Sequence, residues 1–249
     1  MTRRHLSPQI GMTLIELMIA LTIASILMFG VGTVYVSSKR GYNIQDNLAR
    51  QQENSRFSLD VLMRDLRMAG YPKTFIKDPI MTAATQTADG VGSVDDTITV
   101  QYESATDCLG QPTPANSCVD DTTKQCAINK YYIATDAATN RKNLYCLGNG
   151  GANPDIIAEG ITNLQFQYGV DTDASGAANA YFTWNNISVA ERPNIVSVRF
   201  ALLSQTLNDV KKAATNNVSY TLLDQTYTPS DKRFHHVYSN TVLLRNRLQ

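Results

Sequence analysis

Apolar residues are concentrated in one block close to the amino terminus. The segment from Met12 to Val36 contains 25 residues, of which 18 are apolar and one, Glu16, is charged. A helix rises about 1.5 Å per residue, so this segment is long enough to cross the hydrocarbon core of a membrane. The pattern predicts a transmembrane helix over residues 12–36, and it argues against a wholly cytosolic protein.

Directly after this block, apolar positions recur every three or four residues, a spacing typical of an amphipathic helix. Charged residues occupy many of the positions between them. Gly70, followed by Tyr71 and Pro72, predicts the end of the helix. The second half of the helix is therefore predicted over residues 37–70, with one face packed on a sheet. Its predicted inner stripe consists of Ile44, Leu48, Ser55, Leu59, Leu62, Leu66 and Ala69.

Beyond Pro72 the apolar period changes to two, which predicts antiparallel strands with one solvated face. Polar, turn-rich segments separate these strands. The predicted fold class is α+β, with a long amino-terminal α-helix packed on an antiparallel β-sheet head. The predicted strands are 98–102, 164–168 and 196–202, a hairpin of 131–133 and 144–147, and a last strand over 234–244; the predicted loops are 81–96, 107–125, 171–179 and 208–232.

The charge balance narrows the class of partner. The chain has 22 Lys and Arg and 22 Asp and Glu, so its formal net charge is zero. Dedicated nucleic-acid binders normally carry a basic surplus, and we expect no direct nucleic-acid partner. Charged residues are 18% of the chain and apolar residues 43%, which argues against wholesale disorder.

A short polar segment, residues 1–11, precedes the apolar block and carries Arg3 and Arg4 but no acid. An ordinary secretory signal also begins with basic residues, but its apolar region is shorter and contains no carboxylate. A carboxylate at the centre of a membrane helix costs on the order of 3 kcal/mol, so such residues are functional by default. The alternative interpretation places Glu16 in the headgroup region, where it stays hydrated.

The segment from Gly11 to Ala20 resembles the class III leader of type IV prepilins and pseudopilins: a short basic leader, a glycine, then a Thr-Leu-x-Glu apolar run. The resemblance implies that prepilin peptidase cleaves between Gly11 and Met12 and that the new amino terminus at Met12 is methylated. Mature pilins carry Phe at this position more often than Met. The resemblance also implies that Glu16 pairs with the amine of a neighbouring subunit during filament assembly, since low dielectric favours an oppositely charged partner.

Charge alone does not decide the membrane topology, because Lys39 and Arg40 follow the apolar block just as Arg3 and Arg4 precede it. The prepilin resemblance implies a single pass through the inner membrane, with a cytoplasmic amino terminus and a periplasmic head. After assembly the protein would be part of the pilus at the cell surface. The expected divisions are a leader over 1–11, the membrane and filament-core half of the helix over 12–36, its amphipathic half over 37–70, and a β-rich head over 71–249.

Several further segments resemble the PilW-type minor pilins. The resemblance implies a low-abundance pilin that primes type IV pilus assembly, lies at or near the tip and supports twitching motility. The implied partners are other minor and major pilins, prepilin peptidase, the inner-membrane assembly platform and a tip adhesin. The segments that carry the resemblance are 56–71, 107–110, 144–150, 167–173, 196–203 and 238–247.

Two other functions remain open from the sequence. A J-type minor pseudopilin of type II secretion shares the leader, the helix and the α+β head. The Cys-Leu-Gly segments and the Gly-Val-Asp-Thr-Asp turn favour the pilus component. The third possibility is a membrane-anchored adhesive or ligand-binding module that never polymerises.

All four cysteines, Cys108, Cys118, Cys126 and Cys146, lie within 39 residues. An even, clustered set in a domain outside the inner membrane indicates two disulfides within region 108–146. Four cysteines allow three connectivities, and the sequence does not choose among them. The preferred arrangement is nested, with Cys108–Cys146 and Cys118–Cys126. A zinc site is disfavoured because no C-x-x-C spacing is present.

The segment from Asp171 to Gly176 resembles the start of a calcium loop, with carboxylates at alternate positions before a glycine. Its twelfth position is Phe182 rather than Glu, and a polar hairpin turn is the competing interpretation. Outside the leader only His235 and His236 are histidines, and neighbouring strand residues face opposite sides. We expect neither enzymatic activity nor a metal or cofactor.

Overall fold

The computed structural model describes residues 11–72, 74, 76–81, 86–90, 94–211, 214 and 218–247. The leader up to residue 10 and parts of the predicted loops 81–96 and 208–232 lie outside the described residues. The protein consists of two compact units, Met1–Asp46 and Asn47–Gln249, and each is described by itself.

One long helix and ten strands make up the described secondary structure, together with two short 3-10 turns, Trp184–Asn186 and Arg192–Asn194. The α+β prediction is confirmed, because every strand pairing is antiparallel and the long helix precedes all strands. The elements are α1 Leu14–Met68, β1 Ile98–Glu103, β2 Cys126–Asp136, β3 Arg141–Gly148, β4 Asp155–Glu159, β5 Ile161–Val170, β6 Ala180–Phe182, β7 Ile195–Gln205, β8 Tyr220–Leu222, β9 Gln225–Tyr227 and β10 His235–Leu243.

The strands form two four-stranded sheets rather than the single sheet that the sequence predicted. The first sheet has the order β1-β2-β3-β4 and the second the order β10-β7-β5-β6. The predicted hairpin is β2 and β3, with Tyr131 opposite Cys146. The main core lies between α1 and the inner faces of the two sheets, where Leu62, Phe166 and Phe200 are almost completely buried.

A small two-stranded hairpin, β8 and β9, lies in the segment that the sequence predicted to be loop. Each strand has only three residues, too few for alternation to be recognised in a polar segment. Leu222 is fully buried against Ala201 and Leu203 on the outer face of the second sheet. Leu223 takes a left-handed conformation, with φ of 54°, at the turn. Burial of Leu222 thus holds the otherwise polar β8–β9 hairpin against the outer face of the second sheet.

The buried face of α1 differs from the predicted stripe. Leu48 and Leu59 are only half-buried, whereas Asn47, Gln51 and Asp65 are buried. Polar residues can lie on this face because the sheets offer them partners. The Gln51 side-chain amide donates hydrogen bonds to the carbonyl and hydroxyl oxygens of Ser204, both at 3.0 Å. Four members of the predicted stripe, Ser55, Leu62, Leu66 and Ala69, are buried, so the periodicity found the inner face but missed the polar residues that also belong to it.

Asp65 is the centre of the contact between α1 and the first sheet. Its carboxylate accepts hydrogen bonds from the Tyr131 hydroxyl at 2.6 Å and the Asn129 side-chain amide at 2.7 Å. The same amide lies 3.1 Å from the Tyr102 hydroxyl. Burial, reinforced by the negative charge of Asp65, raises the pKa of Tyr102 and Tyr131 well above the usual value, so both hydroxyls stay protonated.

Asp96, just before β1, joins the two sheets. Its backbone N–H donates to the Leu164 carbonyl at 2.9 Å, and its carboxylate accepts from the backbone N–H groups of Phe166 and Gly90, at 2.7 Å and 2.8 Å. These bonds occupy the part of the β5 edge that β6 leaves free, since β6 pairs only with residues 168–170. Burial raises the pKa of the Asp96 carboxyl to about 7.

The carboxy-terminal segment caps the end of α1. The Asn246 side-chain amide donates to the carbonyls of Arg67, Met68 and Ala69, at 3.1–3.3 Å. These are carbonyls that a helix end leaves without partners. Gly70 follows in a left-handed conformation, with φ of 79°, so the helix ends where the sequence predicted.

We expect Asp65→Ala to lower the free energy of unfolding by about 3 kcal/mol, because the buried Tyr131 and Asn129 lose a charged acceptor. Urea unfolding of the full chain in detergent micelles, followed by fluorescence of the single tryptophan, Trp184, measures this change. Asp60→Ala, at an exposed position of the same helix, is the control and should change stability by about 0.5 kcal/mol or less. Equal effects of the two substitutions would contradict the role given to Asp65.

A second prediction concerns pH. A carboxyl group whose pKa rises on folding has a lower pKa in the unfolded chain and a higher pKa in the folded chain. Between these two pKa values the folded state binds more protons than the unfolded state, so the group's contribution to stability falls as the pH rises. For Asp96 the interval runs from 3.8 to about 7. The difference in unfolding free energy between wild type and Asp96→Asn should therefore decrease from pH 4 to pH 7. A difference that stays constant across urea titrations in this range would refute the prediction.

Candidate functional site

Thr13 and Glu16 form a reciprocal contact at the start of α1. The Glu16 carboxylate accepts from the Thr13 backbone N–H at 3.0 Å and from the Thr13 hydroxyl at 3.1 Å. The Glu16 backbone N–H donates back to the Thr13 hydroxyl at 3.4 Å. This is a capping box, in which the residue before the helix and the third helical residue satisfy each other's backbone donors. The side chain of Glu16 is thereby held at the amino end of the helix.

Gly11 and Met12 lie directly before this box and are exposed. A processed chain that begins at Met12 would therefore have its amine next to a carboxylate whose position is fixed by Thr13. Negative charge at the amino end of a helix is also favoured by the helix dipole. The geometry suits a carboxylate that meets a positive partner at the end of the helix rather than along its side.

The apolar block is fully exposed in the isolated chain. Every residue from 11 to 40 is exposed, including Leu14, Ile26 and Phe29 at 76%, 70% and 77% of their surface. In the part of the chain that the structure describes, α1 is the one helix long and apolar enough to cross a membrane. An uncovered apolar surface of this length needs lipid or other apolar helices around it.

The head contains two disulfides, Cys108–Cys146 and Cys118–Cys126, with sequence separations of 38 and 8 residues. Cys146 belongs to the main core, and Cys108 packs against that core. Cys118 and Cys126 form a smaller buried cluster with Ile76. The nested pairing ties the loop after β1 to the end of β3 and closes a short loop before β2.

Asp107 organises the loop around the longer disulfide, a role that no sequence pattern indicated. Its carboxylate accepts hydrogen bonds from the backbone N–H groups of Leu109, Gln111 and Gly150, each at 2.9 Å. A Cβ at Gly148 would overlap this carboxylate. The segments 107–110 and 144–150, which the sequence singled out separately, therefore meet in space as one structural unit.

The Asp171–Gly176 segment forms the turn between β5 and β6. The Asp171 carboxylate accepts from the backbone N–H groups of Asp173, Ser175 and Gly176, at 2.7–3.2 Å. Hydrogen bonds from Ser175 and Asn179 lower the pKa of Asp173 to about 2. The carboxylates thus fold the turn on itself, as in the hairpin interpretation. Among the described residues, no three His, Cys, Asp or Glu side chains are grouped to hold a metal ion.

The two histidines of the head are separated by the strand pleat. The His235 ring lies beside Tyr220, and its Nε2 is 3.4 Å from the Asp231 carboxylate. Burial lowers the pKa of His235. His236 instead contacts the Tyr238 ring, with the two ring centres 4.6 Å apart. The structure does not bring the two imidazoles together.

Comparison with known proteins identifies two segments of the chain. The family model of Type IV Pilus-assembly protein W matches residues 130–246, and the model of the prokaryotic N-terminal methylation motif matches residues 6–32. No curated protein matches the sequence. Among solved structures, a type IV-like pilin from Thermus thermophilus is similar at 13% identity and a TM-score of 0.48, over 80% of this chain and 98% of that chain.

The methylation motif at one end, the long apolar helix and the antiparallel head define a type IV pilin-like protein. Within this class, the part of the chain from β2 to Asn246 is similar to Type IV Pilus-assembly protein W. Proteins of this family and fold have structural roles.

We expect loss of the longer disulfide to destabilise the head more than loss of the shorter one. Closing loops of 38 and 8 residues in the unfolded chain contributes about 4 and about 2.5 kcal/mol, respectively. The test compares the unfolding free energies of Cys108→Ser/Cys146→Ser and Cys118→Ser/Cys126→Ser, each by urea titration of the full chain in micelles. A larger loss for the second variant would contradict the loop-closure argument.

Proposed function

We propose that this protein is a minor pilin that helps to prime type IV pilus assembly in the inner membrane and then lies at or near the pilus tip. The observation that carries the proposal is the exposed apolar helix with a carboxylate fixed at its start by Thr13. The PilW match and the methylation motif support the same role. The function is structural, and it would support twitching motility.

In the proposed pathway, prepilin peptidase cleaves between Gly11 and Met12 and the amine of Met12 is methylated. Residues 12–36 anchor the chain with its head in the periplasm, and later enter the filament core. Residues 37–70 and 71–249 present the head. The partners would be other minor and major pilins, the inner-membrane assembly platform and a tip adhesin.

Glu16 would guide docking in this pathway. A positive amine on a neighbouring subunit and the Glu16 carboxylate attract strongly where lipid excludes water. Each oxygen of a carboxylate has two lone pairs. The Glu16 carboxylate can therefore accept further hydrogen bonds from a positive partner in addition to the two from Thr13. Helix capping and charge pairing can therefore operate at the same time.

Two substitutions of Glu16 separate these roles. Glu16→Gln keeps the capping box, since glutamine also serves at the third helical position, but removes the charge. Glu16→Ala removes both. If charge pairing drives assembly, both variants should reduce surface pili roughly tenfold, equivalent to about 1.4 kcal/mol in docking. Electron microscopy of pili and immunoblots of the processed chain are the measurements. Normal piliation in both variants would indicate a membrane-anchored module that does not polymerise, whereas rescue by Gln alone would reduce Glu16 to a capping residue.

A clean deletion with complementation tests the assignment to the pilus. Surface pili, twitching and secreted hydrolases are scored in the same strains. The proposal expects loss of pili and twitching with normal secretion. Loss of secretion with normal pili would mean that the protein is instead a J-type minor pseudopilin of type II secretion.

A further inference from the structure

Among the described residues, three of the four outer edges of the two four-stranded sheets are guarded against pairing with another chain. The outer edge of β1 is covered by its own chain, through bridges at Ile80 and Ala88. The edge strand β4 has only five residues and begins and ends with an acid, Asp155 and Glu159. The edge strand β6 has three residues. Short strands, charges and covering segments are the usual means by which proteins protect such edges.

The fourth edge, β10, has none of these features. It is nine residues long and pairs with β7 along its whole length. Within the described residues no strand pairs with its other edge. The strand contains no Lys, Arg, Asp, Glu or Pro. It therefore offers an uncharged row of backbone groups, in which the Thr241 N–H already donates to the Asn240 side-chain oxygen and the Leu243 carbonyl already accepts from the Arg245 N–H.

The hydrogen bonds show which of these groups face outward. The Phe234 carbonyl accepts from the Thr206 N–H at 3.0 Å, and the Leu244 N–H donates to the Val196 carbonyl at 2.8 Å, so the even-numbered positions bond towards β7. Alternate residues of a strand direct their backbone groups to opposite sides. Val237 and Ser239 therefore direct theirs outward, and these groups have no partner among the described residues.

We propose that the outer edge of β10 receives an extended strand from another pilus-assembly protein, which continues the second sheet by one strand. Main-chain hydrogen bonds to Val237 and Ser239 would provide the pairing, as in other cases of strand addition. The proposal rests on the proposed function, because it names one contact through which this minor pilin meets its partners.

The direction of β10 argues for a different protein rather than a second copy. Gln51 contacts the Phe234 carbonyl near one end of the strand, and Asn246 contacts the Met68 carbonyl just past the other. Strand β10 and residues 47–68 of α1 thus run in the same direction. Two copies joined by a two-fold axis through antiparallel β10 strands would run residues 47–68 of their helices in opposite directions, although the proposed function gives both copies the same orientation.

The surroundings define the chemistry of the added strand. On the helix side, Tyr238, Leu59 and Met63 are partly buried and pack against the core. The opposite face of β10 exposes Ser239, Thr241 and Leu243. The incoming segment should be uncharged, with apolar residues at alternate positions directed towards the helix side.

Three substitutions at Ser239 test the proposal in the full chain. Ser239→Pro removes the outward N–H without affecting a bond to β7, a position where edge strands tolerate proline. Ser239→Lys keeps the N–H and adds a charge that disfavours pairing. Ser239→Thr is the matched control. We expect Pro and Lys to lower the amount of this chain in sheared pili and in mild-detergent complexes with other pilins by roughly tenfold, and Thr to leave it unchanged. Thermal unfolding in micelles checks that each variant is folded.

Hydrogen exchange provides a second, independent measurement. In the purified full chain the amides of Val237 and Ser239 should exchange quickly, and those of Tyr238, Asn240 and Val242 slowly. In complexes extracted from membranes with the other pilins, Val237 and Ser239 should become protected. A photo-crosslinking residue at Thr241 should then give an adduct whose mass is not a multiple of this chain, and Ser239→Pro should abolish it.

Two outcomes would overturn the proposal. One is unprotected Val237 and Ser239 amides in the complexes, with normal incorporation of folded Ser239→Pro and Ser239→Lys. The other is an adduct of two copies of this chain, which would assign the edge to self-association. If deletion of the gene leaves pili normal, the proposed function fails. Hydrogen exchange of the Val237 and Ser239 amides in membrane extracts then still decides whether a strand is added to β10.

Discussion

A buried carboxylate determines how the helix lies on the sheet. Asp65 is almost fully inaccessible, and from the first sheet its carboxylate is stabilised where Tyr131 and Asn129 reach it together, in addition to the Arg64 guanidinium 3.5 Å away on the same helix. A shift of the helix by one turn would leave this charge without its donors in the core. Asn129 also accepts a hydrogen bond from the Cys108 backbone N–H at 3.0 Å. The register of α1, the first sheet and the loop of the longer disulfide are thus fixed by one hydrogen-bond network.

The same device, a carboxylate that accepts backbone or side-chain donors, recurs at each junction of the head. Asp96 joins the two sheets, Asp107 folds the disulfide loop, and Asp171 folds the turn between β5 and β6. Each satisfies N–H groups that irregular backbone would otherwise leave buried without partners. Among the described residues the outer edge of β10 has no such partner and is the exception. The apolar block of the amino-terminal unit has the opposite character, because its side chains from residue 12 to residue 36 are exposed.

The sequence predicted the helix and strands in which the apolar positions of the pattern are also the buried positions of the structure. The apolar block, the end of α1 at Gly70 and the alternating strands β1, β5, β7 and β10 follow from local periodicity. The polar part of the helix's inner face could not be predicted in this way, because Gln51 and Asp65 are polar and yet buried. Their partners belong to strands more than 60 residues away in sequence. The β8–β9 hairpin was likewise missed, since Leu222 gains its burial only from the second sheet.

The sequence by itself indicated the class of this protein, because the residues of its N-terminal methylation motif are contiguous and can be recognised without knowledge of the fold. It also limited the cysteines to three connectivities. Only the tertiary structure decided between these, since the approach of Cys108 to Cys146 depends on the β2–β3 register and on the Asp107 loop. Tertiary structure likewise decided which edge of the two large sheets has no partner strand among the described residues. The physical reason is the same in both cases: a hydrogen bond or disulfide between distant residues forms only where the packing of the whole head brings the partners together.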